Sequence, residues 1–499
     1  LTFPMTEGVK ELSITLNEWE GNGCRVSISE MAFYKSDSLA GDIAALFTDG
    51  SFTALRPGVT AEQVDALSRR LEARADFYLD LARLWDELDL AEGLLAGADN
   101  ALGVVRDSVQ SRAAARDSRY GQGASDLQPL GVTARAGAVV AVYAQLPSDA
   151  PVYVVPTQFY GESGVWRGAP VQLVNGRNYI TVPQIGSLTA ERGGPLYLTY
   201  AGDHPEQIRI QVRGDKNVFA MPVLELSGWY DMGESARREA IRAYVVQLQA
   251  YVSALNSADL GVDVRNATEI STPSVLLSIP ADRALAGLKG VDGSVDQMAE
   301  TLYQDVLAWE EELFVANKVQ GIIDSDARLS GYRYPMTTRQ NIRYMRMFAG
   351  AFMYAAGNHV GVGYGSTSGL MSGRTSAAVG EDRANGLFGW GIAHEIGHNM
   401  DKLGRAEITN NIYSLAIQAW DGGSMAWPTR LTVSNIWPAV FEKTAVGRPG
   451  AAGNVFVQLG MYWQLHLAYD QADRPLDFFN RFFRSWKAGE YGGYGYDER

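Results

Sequence analysis

The chain has 499 residues, 46% of them hydrophobic and 20% charged, with 1 cysteine and a formal net charge of -14 at pH 7. That length suits about three folded units, and the acidic balance argues against a nucleic-acid or anionic-membrane partner, both of which need clustered Lys and Arg. A lone Cys24 excludes an intrachain disulfide, a multi-thiolate zinc site and a Cys2His2 finger, so a metal here takes His and carboxylate ligands.

The chain opens Leu1-Thr2-Phe3-Pro4 with no Met, basic n-region or apolar h-region, which reads as a mature product or an excised fragment. No run approaches the ~18 consecutive apolar residues of a membrane span, so a soluble chain is expected. Residues 1–36 alternate in the strand manner, as in Leu12-Ser13-Ile14-Thr15-Leu16 and Arg25-Val26-Ser27-Ile28-Ser29, split by Gly21-Asn22-Gly23. Two or three strands do not make a core alone. They are expected to be the remnant of a β-sandwich module.

Residues 37–122 turn helical. Thr60 with Gln63 forms a capping box, and Ala66, Leu67, Leu71, Ala75, Tyr78 and Leu79 recur mostly at 3- and 4-residue steps. The Arg112–Arg119 stretch alternates with Asp and Ala and reads as a solvated face or linker. Residues 123–225 return to short β runs, including Ala138–Tyr143, Val152–Val155, Leu196–Tyr200 and Ile208–Val212, which suits a β-sandwich. From 226 to 499 the chain is mostly helical. Helices are predicted at Ser235–Leu255, at Ser294–Lys318 behind a second capping box (Ser294, Gln297), and at Gln340–Ala356. The fold class expected is therefore α+β multidomain, with the chemistry in the last, mostly helical domain.

That chemistry lies in Phe388-Gly389-Trp390-Gly391-Ile392-Ala393-His394-Glu395-Ile396-Gly397-His398-Asn399-Met400-Asp401. H-E-x-x-H on a helix sets two imidazoles at i and i+4 on one face, where both reach one Zn²⁺, with Glu395 beside them as general base for the metal-activated water. With 5 His in the chain, a chance match has odds on the order of a few in a thousand. Asp401 and Gly404 stand where a metzincin needs Gly and His, so a carboxylate must be the third ligand. Glu407 is the best candidate, because Leu403-Gly404 can end the motif helix and Arg405–Trp420 reads as the next helix, with Glu407 in its first turn. Asp401 is the competing ligand. Asn411, one turn beyond Glu407, could accept a hydrogen bond from a ligand imidazole.

Gly-Trp-Gly, then H-E-I-G-H-N, then Glu407 followed by Thr409-Asn410-Asn411-Ile412-Tyr413, resembles the M-sixty (enhancin-like) zinc metallopeptidases. The β-rich segment opening Leu130-Gly131-Val132 before a helical catalytic domain is similar to that family's usual order, and residues 25–60 look like the end of a galactose-binding-like module with its following helical segment. The resemblance implies a gluzincin-like zinc endopeptidase that cuts the backbone of O-glycosylated proteins such as mucins beside a glycosylated Ser or Thr, secreted or held at a bacterial cell surface.

For such a substrate the candidate sugar platforms are Trp390, Trp427 and Trp463, with Arg430 and Asp470 as polar partners, though a domain of this size also buries aromatics in its core. Gly389 and Gly391 either flank a strand that pairs with substrate backbone or ease a tight strand-to-helix passage. Oxyanion donors are sought in His466 and Tyr462, one helical turn apart, or in Tyr364. His359 and His204 receive no role.

Overall fold

The computed structural model describes residues 38–73, 75, 81–97, 127–162, 164–186, 192–214, 216–289, 292–324, 326–327, 339–372, 390–401, 403–421, 429–445, 453–470 and 476–488. The strand remnant expected at 1–36, the Arg112–Arg119 stretch, Gly389 and Trp427 lie outside them. The chain divides into two units, residues 1–100 and 101–499.

The first unit carries α1 (Leu39–Ala44), α2 (Ala61–Glu72) and α3 (Leu81–Leu95). Gln63 Oε1 accepts from the Thr60 N–H at 3.0 Å, which satisfies a donor at the start of α2. The helix then buries Val64, Leu67 and Leu71, one stripe at 3- and 4-residue steps.

The second unit begins with nine strands: β1 (Gln128–Arg135), β2 (Val139–Gln145), β3 (Val152–Glu162), β4 (Val165–Arg167), β5 (Val171–Gln172), β6 (Gly176–Thr181), β7 (Gly193–Tyr200), β8 (Arg209–Gly214) and β9 (Val218–Ala220). One sheet runs β4-β3-β7-β1-β9, with β5 also beside β3, and a second runs β6-β2-β8. Val140 and Val142 from one and Val154, Leu196 and Leu198 from the other fill a single apolar cluster. Pairing is antiparallel throughout these two sheets.

A third sheet follows, in the order β10-β11-β12-β13-β15-β14, built from Val223–Glu225, Ala267–Ser271, Val275–Pro280, Gln340–Tyr344, Met353–Ala355 (β14) and Val360–Val362 (β15). The long helices α4 (Glu234–Ala254), α5 (Ala281–Leu288) and α6 (Val295–Val319) share its core. Ser294 Oγ accepts from Gln297 N–H at 3.2 Å and starts α6, but the Gln297 amide goes to Thr301 Oγ1 at 2.7 Å, so only half of the expected capping box forms.

The helix predicted over Gln340–Ala356 is not one. Gln340–Tyr344 is a strand between two parallel neighbours, and every one of its residues is buried. A strand covered on both faces loses the two-residue alternation that marks a half-exposed one, and its apolar residues then mimic a helical pattern. Among the described residues the remaining α-helices are α7 (Trp390–Met400), α8 (Asn411–Asp421), α9 (Arg430–Val433), α10 (Trp437–Thr444), α11 (Val455–Tyr469) and α12 (Asp477–Ala488). Among the described residues no helix is long and apolar enough to cross a membrane.

Candidate metal centre

Helix α7 buries Ile392, Ala393, Ile396 and Met400 completely in the core formed with α6, α8 and α12. That stripe leaves His394, Glu395 and His398 partly exposed on the other side. Gly397 faces α8, and a Cβ there would lie 2.1 Å from Asn410 O. Glycine is what lets the turn before α8 press against the motif helix.

The link between α7 and α8 is tied by Asp401. Its carboxylate accepts from Leu403 N–H at 2.9 Å, Gly404 N–H at 3.2 Å and Thr409 Oγ1 at 2.6 Å, while Gly404 turns at φ +71°. With its oxygens so engaged, Asp401 organises the link. Burial raises its pKa and those hydrogen bonds oppose the rise.

Glu407 does not lie in the first turn of a helix, as the sequence suggests. Ile408 N–H and Thr409 N–H both return to Arg405 O, the helix starts only at Asn411, and Glu407 takes a left-handed φ of +66° in the turn before it. For a residue with a Cβ that conformation costs roughly 1 kcal/mol or more, so the surrounding bonds must hold it.

The result is a convergence of three side chains. His394 Nε2 and His398 Nε2 are 3.1 Å apart, and the Glu407 carboxylate oxygens lie 3.2 Å from the first and 3.1 Å from the second. His394 Nδ1 is 2.6 Å from Asn411 Oδ1 and 3.2 Å from Asn410 Nδ2; the shorter contact is to an oxygen that only accepts, which favours the proton on Nδ1 and a lone pair on Nε2 facing the others. A tetrahedral ion with ligands at ~2.0–2.1 Å spaces its donors about 3.3 Å apart. The donor set therefore fits a divalent metal of the zinc type. Among the described residues, it is the group of His, Cys, Asp and Glu found to converge in this way.

Glu395 adjoins this group. Burial, followed by the negative charge of Glu407, pushes its carboxyl up to about 7. His398 is lowered, first by burial and then by His394, with Glu407 acting against both.

The other candidates scatter. Trp390 begins α7 and is 8% exposed, with its ring 5.7 Å from that of Phe456 and the Arg430 guanidinium 4.8 Å above it, so these two are brought together. Gly391 faces Met353 and Phe352 on the edge strand β14 side. Trp463, His466 and Asp470 also come together, but in the core between α11 and α12. Trp463 and His466 are each 1% exposed with rings 4.2 Å apart, and His466 Nδ1 bonds the Asp470 carboxylate. Among the described residues all three side chains are buried. Tyr462 is half-buried against the main core, the Tyr364 hydroxyl bonds Asp282, and the exposed His204 pairs with Glu206. His359 is buried, and desolvation followed by the charge of Arg343 pushes it down to about 3. Asn399, Thr409 and Asn410 beside the site received no role from the sequence, although they stand in the stretches that carry the family resemblance.

Comparisons with known proteins bear on the family and the fold. The family model described as Peptidase M60, enhancin and enhancin-like, matches residues 299–493. A comparison with curated proteins gives no match. Among solved structures, the CBM32-1, CBM32-2 and M60 catalytic domains of Clostridium perfringens ZmpB superpose with a TM-score of 0.62 at 22% identity, covering 93% of this chain and 45% of that one. The M60 catalytic domain of Clostridium perfringens ZmpC, in complex with the sialyl T antigen, gives 0.58 at 22% identity, covering 80% and 71%. A metallopeptidase from Bacteroides thetaiotaomicron gives 0.58 at 16% identity, covering 93% and 69%. This chain spans less than half of the ZmpB structure, and at these identities the likeness is one of fold. Residues 299–493 thus match the Peptidase M60, enhancin and enhancin-like family model, and the chain shares its fold with M60 catalytic domains.

Proposed function

We propose that this chain is a zinc-dependent endopeptidase that cleaves the backbone of O-glycosylated, mucin-type proteins next to a glycosylated Ser or Thr, and that it works outside the cell or at its surface. The observation that carries the hydrolytic reading is the convergence of His394, His398 and Glu407, with Glu395 alongside on the same helix. Support for the glycan comes from the family match and from the sialyl T antigen bound to the ZmpC domain of the same fold.

His394, His398 and Glu407 would hold the metal, leaving a fourth position open. Bound there, zinc supplies Lewis acidity that makes water nucleophilic near neutral pH and polarises a carbonyl. Glu395, with a pKa near 7, takes the proton from the attacking water and returns it to the leaving amine, so no covalent intermediate with the protein is needed. Asn411 keeps His394 in the Nδ1–H form. β14, which packs beside α7 and is the last strand of its sheet among the described residues, offers N–H and C=O groups to an extended peptide, as sheet edges do.

The test is digestion of an O-glycosylated glycoprotein before and after enzymatic removal of its glycans, with new termini mapped by mass spectrometry. Cuts beside glycosylated Ser or Thr that vanish with deglycosylation and with chelator are expected. Equal cutting of the bare protein would leave a peptidase without glycan requirement, and no cutting of either with metal bound would favour a carbohydrate-binding role.

A further inference from the structure

Asn399 follows the second motif histidine and is 1% exposed. Its Oδ1 accepts from the Gly357 N–H at 2.7 Å, and its Nδ2 donates to His359 O at 3.2 Å and to Gln340 Oε1 at 3.4 Å. Gln340 opens β13, and Gly357 and His359 lie in the turn from β14 to β15. One amide thus fastens the last turn of α7 to the start of β13 and to the β14–β15 turn. The last turn of a helix lacks partners for its own carbonyls and frays most easily, and His398 stands in it.

The turn that Asn399 grips is itself held from the β-rich segment. The His359 ring lies 5.3 Å from the indole of Trp166 on β4 and is bonded by Tyr354 Oη at 3.1 Å. The same indole carries the guanidinium of Arg343, from β13, at 4.0 Å. Arg343 is 2% exposed, and its Nε and Nη1 have no hydrogen-bond partner among the described residues. The ring face stabilises this buried cation alongside the nearby Glu269 carboxyl. Trp166 therefore seats both β13 and the His359 turn, the two places that Asn399 holds.

We propose that Trp166 and Asn399 are positioning residues for the metal centre. The segment containing β1–β9 sets β13 and the His359 turn through Trp166, and Asn399 passes that setting to His398. Metal ligands tolerate displacements of only about 0.2 Å, so a small drift of this turn is felt at the site. The consequence for catalysis rests on the metallopeptidase reading above; the consequence for metal binding rests on the His394, His398 and Glu407 geometry alone.

The test uses the full chain as wild type, Trp166→Ala, Trp166→Phe and Asn399→Asp. The readouts are zinc affinity by chelator competition, the visible spectrum of the cobalt(II) form, and thermal unfolding. Asn399→Asp keeps the acceptor for Gly357 and loses the donor to His359. We expect Trp166→Ala and Asn399→Asp to weaken zinc about 10-fold or more and to alter the cobalt bands, with Trp166→Phe recovering most of both. In turnover, kcat falls with KM nearly constant. If Trp166→Ala does not fold, Asn399→Asp and Trp166→Phe decide. Variants that lose thermal stability yet keep wild-type zinc affinity and cobalt spectrum overturn the proposal. A wild type that binds zinc but cleaves nothing overturns the peptidase reading alone, and the affinity comparison still judges the positioning role.

Discussion

Asn411 stands 2.6 Å from His394 Nδ1 through its Oδ1, and the Nδ2 of the same amide donates to Glu407 O at 2.9 Å. One buried side chain thereby contacts both the His394 ring and the Glu407 backbone. Removing it in Asn411→Ala should lower zinc affinity about 10- to 100-fold, while Asn411→Asp, which still accepts from Nδ1–H, should retain most of it. Chelator competition measures this, and unchanged affinity in Asn411→Ala would show the bond to be incidental.

Glu395 is assigned the proton transfer and no metal contact. Glu395→Gln should therefore bind zinc like the wild type while turnover falls by at least about 10²- to 10⁴-fold. His394→Ala should lose both. Elemental analysis beside a peptide-cleavage assay separates the two, and loss of metal in Glu395→Gln contradicts the roles given.

At Gly397 a methyl group would meet Asn410 O at 2.1 Å, and backbone cannot yield as a flexible side chain can. Gly397→Ala should destabilise the fold by about 1–3 kcal/mol and push the Asn410–Asn411 turn away from His394. Thermal unfolding and zinc titration should both register it. An alanine variant with wild-type values would mean that α7 and α8 separate freely.

Glu269 lies buried in the third sheet, bonded by Tyr197 and by Ser278 Oγ, with burial pushing its pKa up to about 7 against those bonds and the pull of Arg343 and Arg339. A carboxyl raised in the fold above its ordinary value of 4.5 favours folding fully only below that value. As pH rises from 4.5 to about 7 that contribution is lost, up to about 3 kcal/mol. Glu269→Gln does not titrate, so its stability relative to wild type should improve between about pH 5 and about pH 8 in denaturant unfolding. A flat difference, or one of opposite slope, would refute this.

Much of the site is legible in the sequence because its information is local. The i, i+4 spacing of His394 and His398 puts both rings on one side of any helix that forms there, whatever surrounds it. The strand runs Val139–Gln145 and Gly193–Tyr200 are likewise legible from β-branched and aromatic content. Gln340–Tyr344 misleads because its burial on both faces is imposed by neighbours distant in the chain.

The sequence by itself determined the chemistry on offer: two imidazoles and a carboxylate base on one helix, no thiolates to compete, and a family likeness that the match over 299–493 bears out. Only the tertiary structure decided which carboxylate completes the group. Asp401 is nearer in sequence but is consumed by the link's own N–H groups, whereas Glu407 reaches the histidines from a left-handed turn that no periodicity announces. It also decided that Trp463, His466 and Asp470 belong to the core, and that Asn399 joins the motif helix to the sheet. Local spacing fixes which side chains can face together; the packing of remote segments fixes where that face points and what meets it.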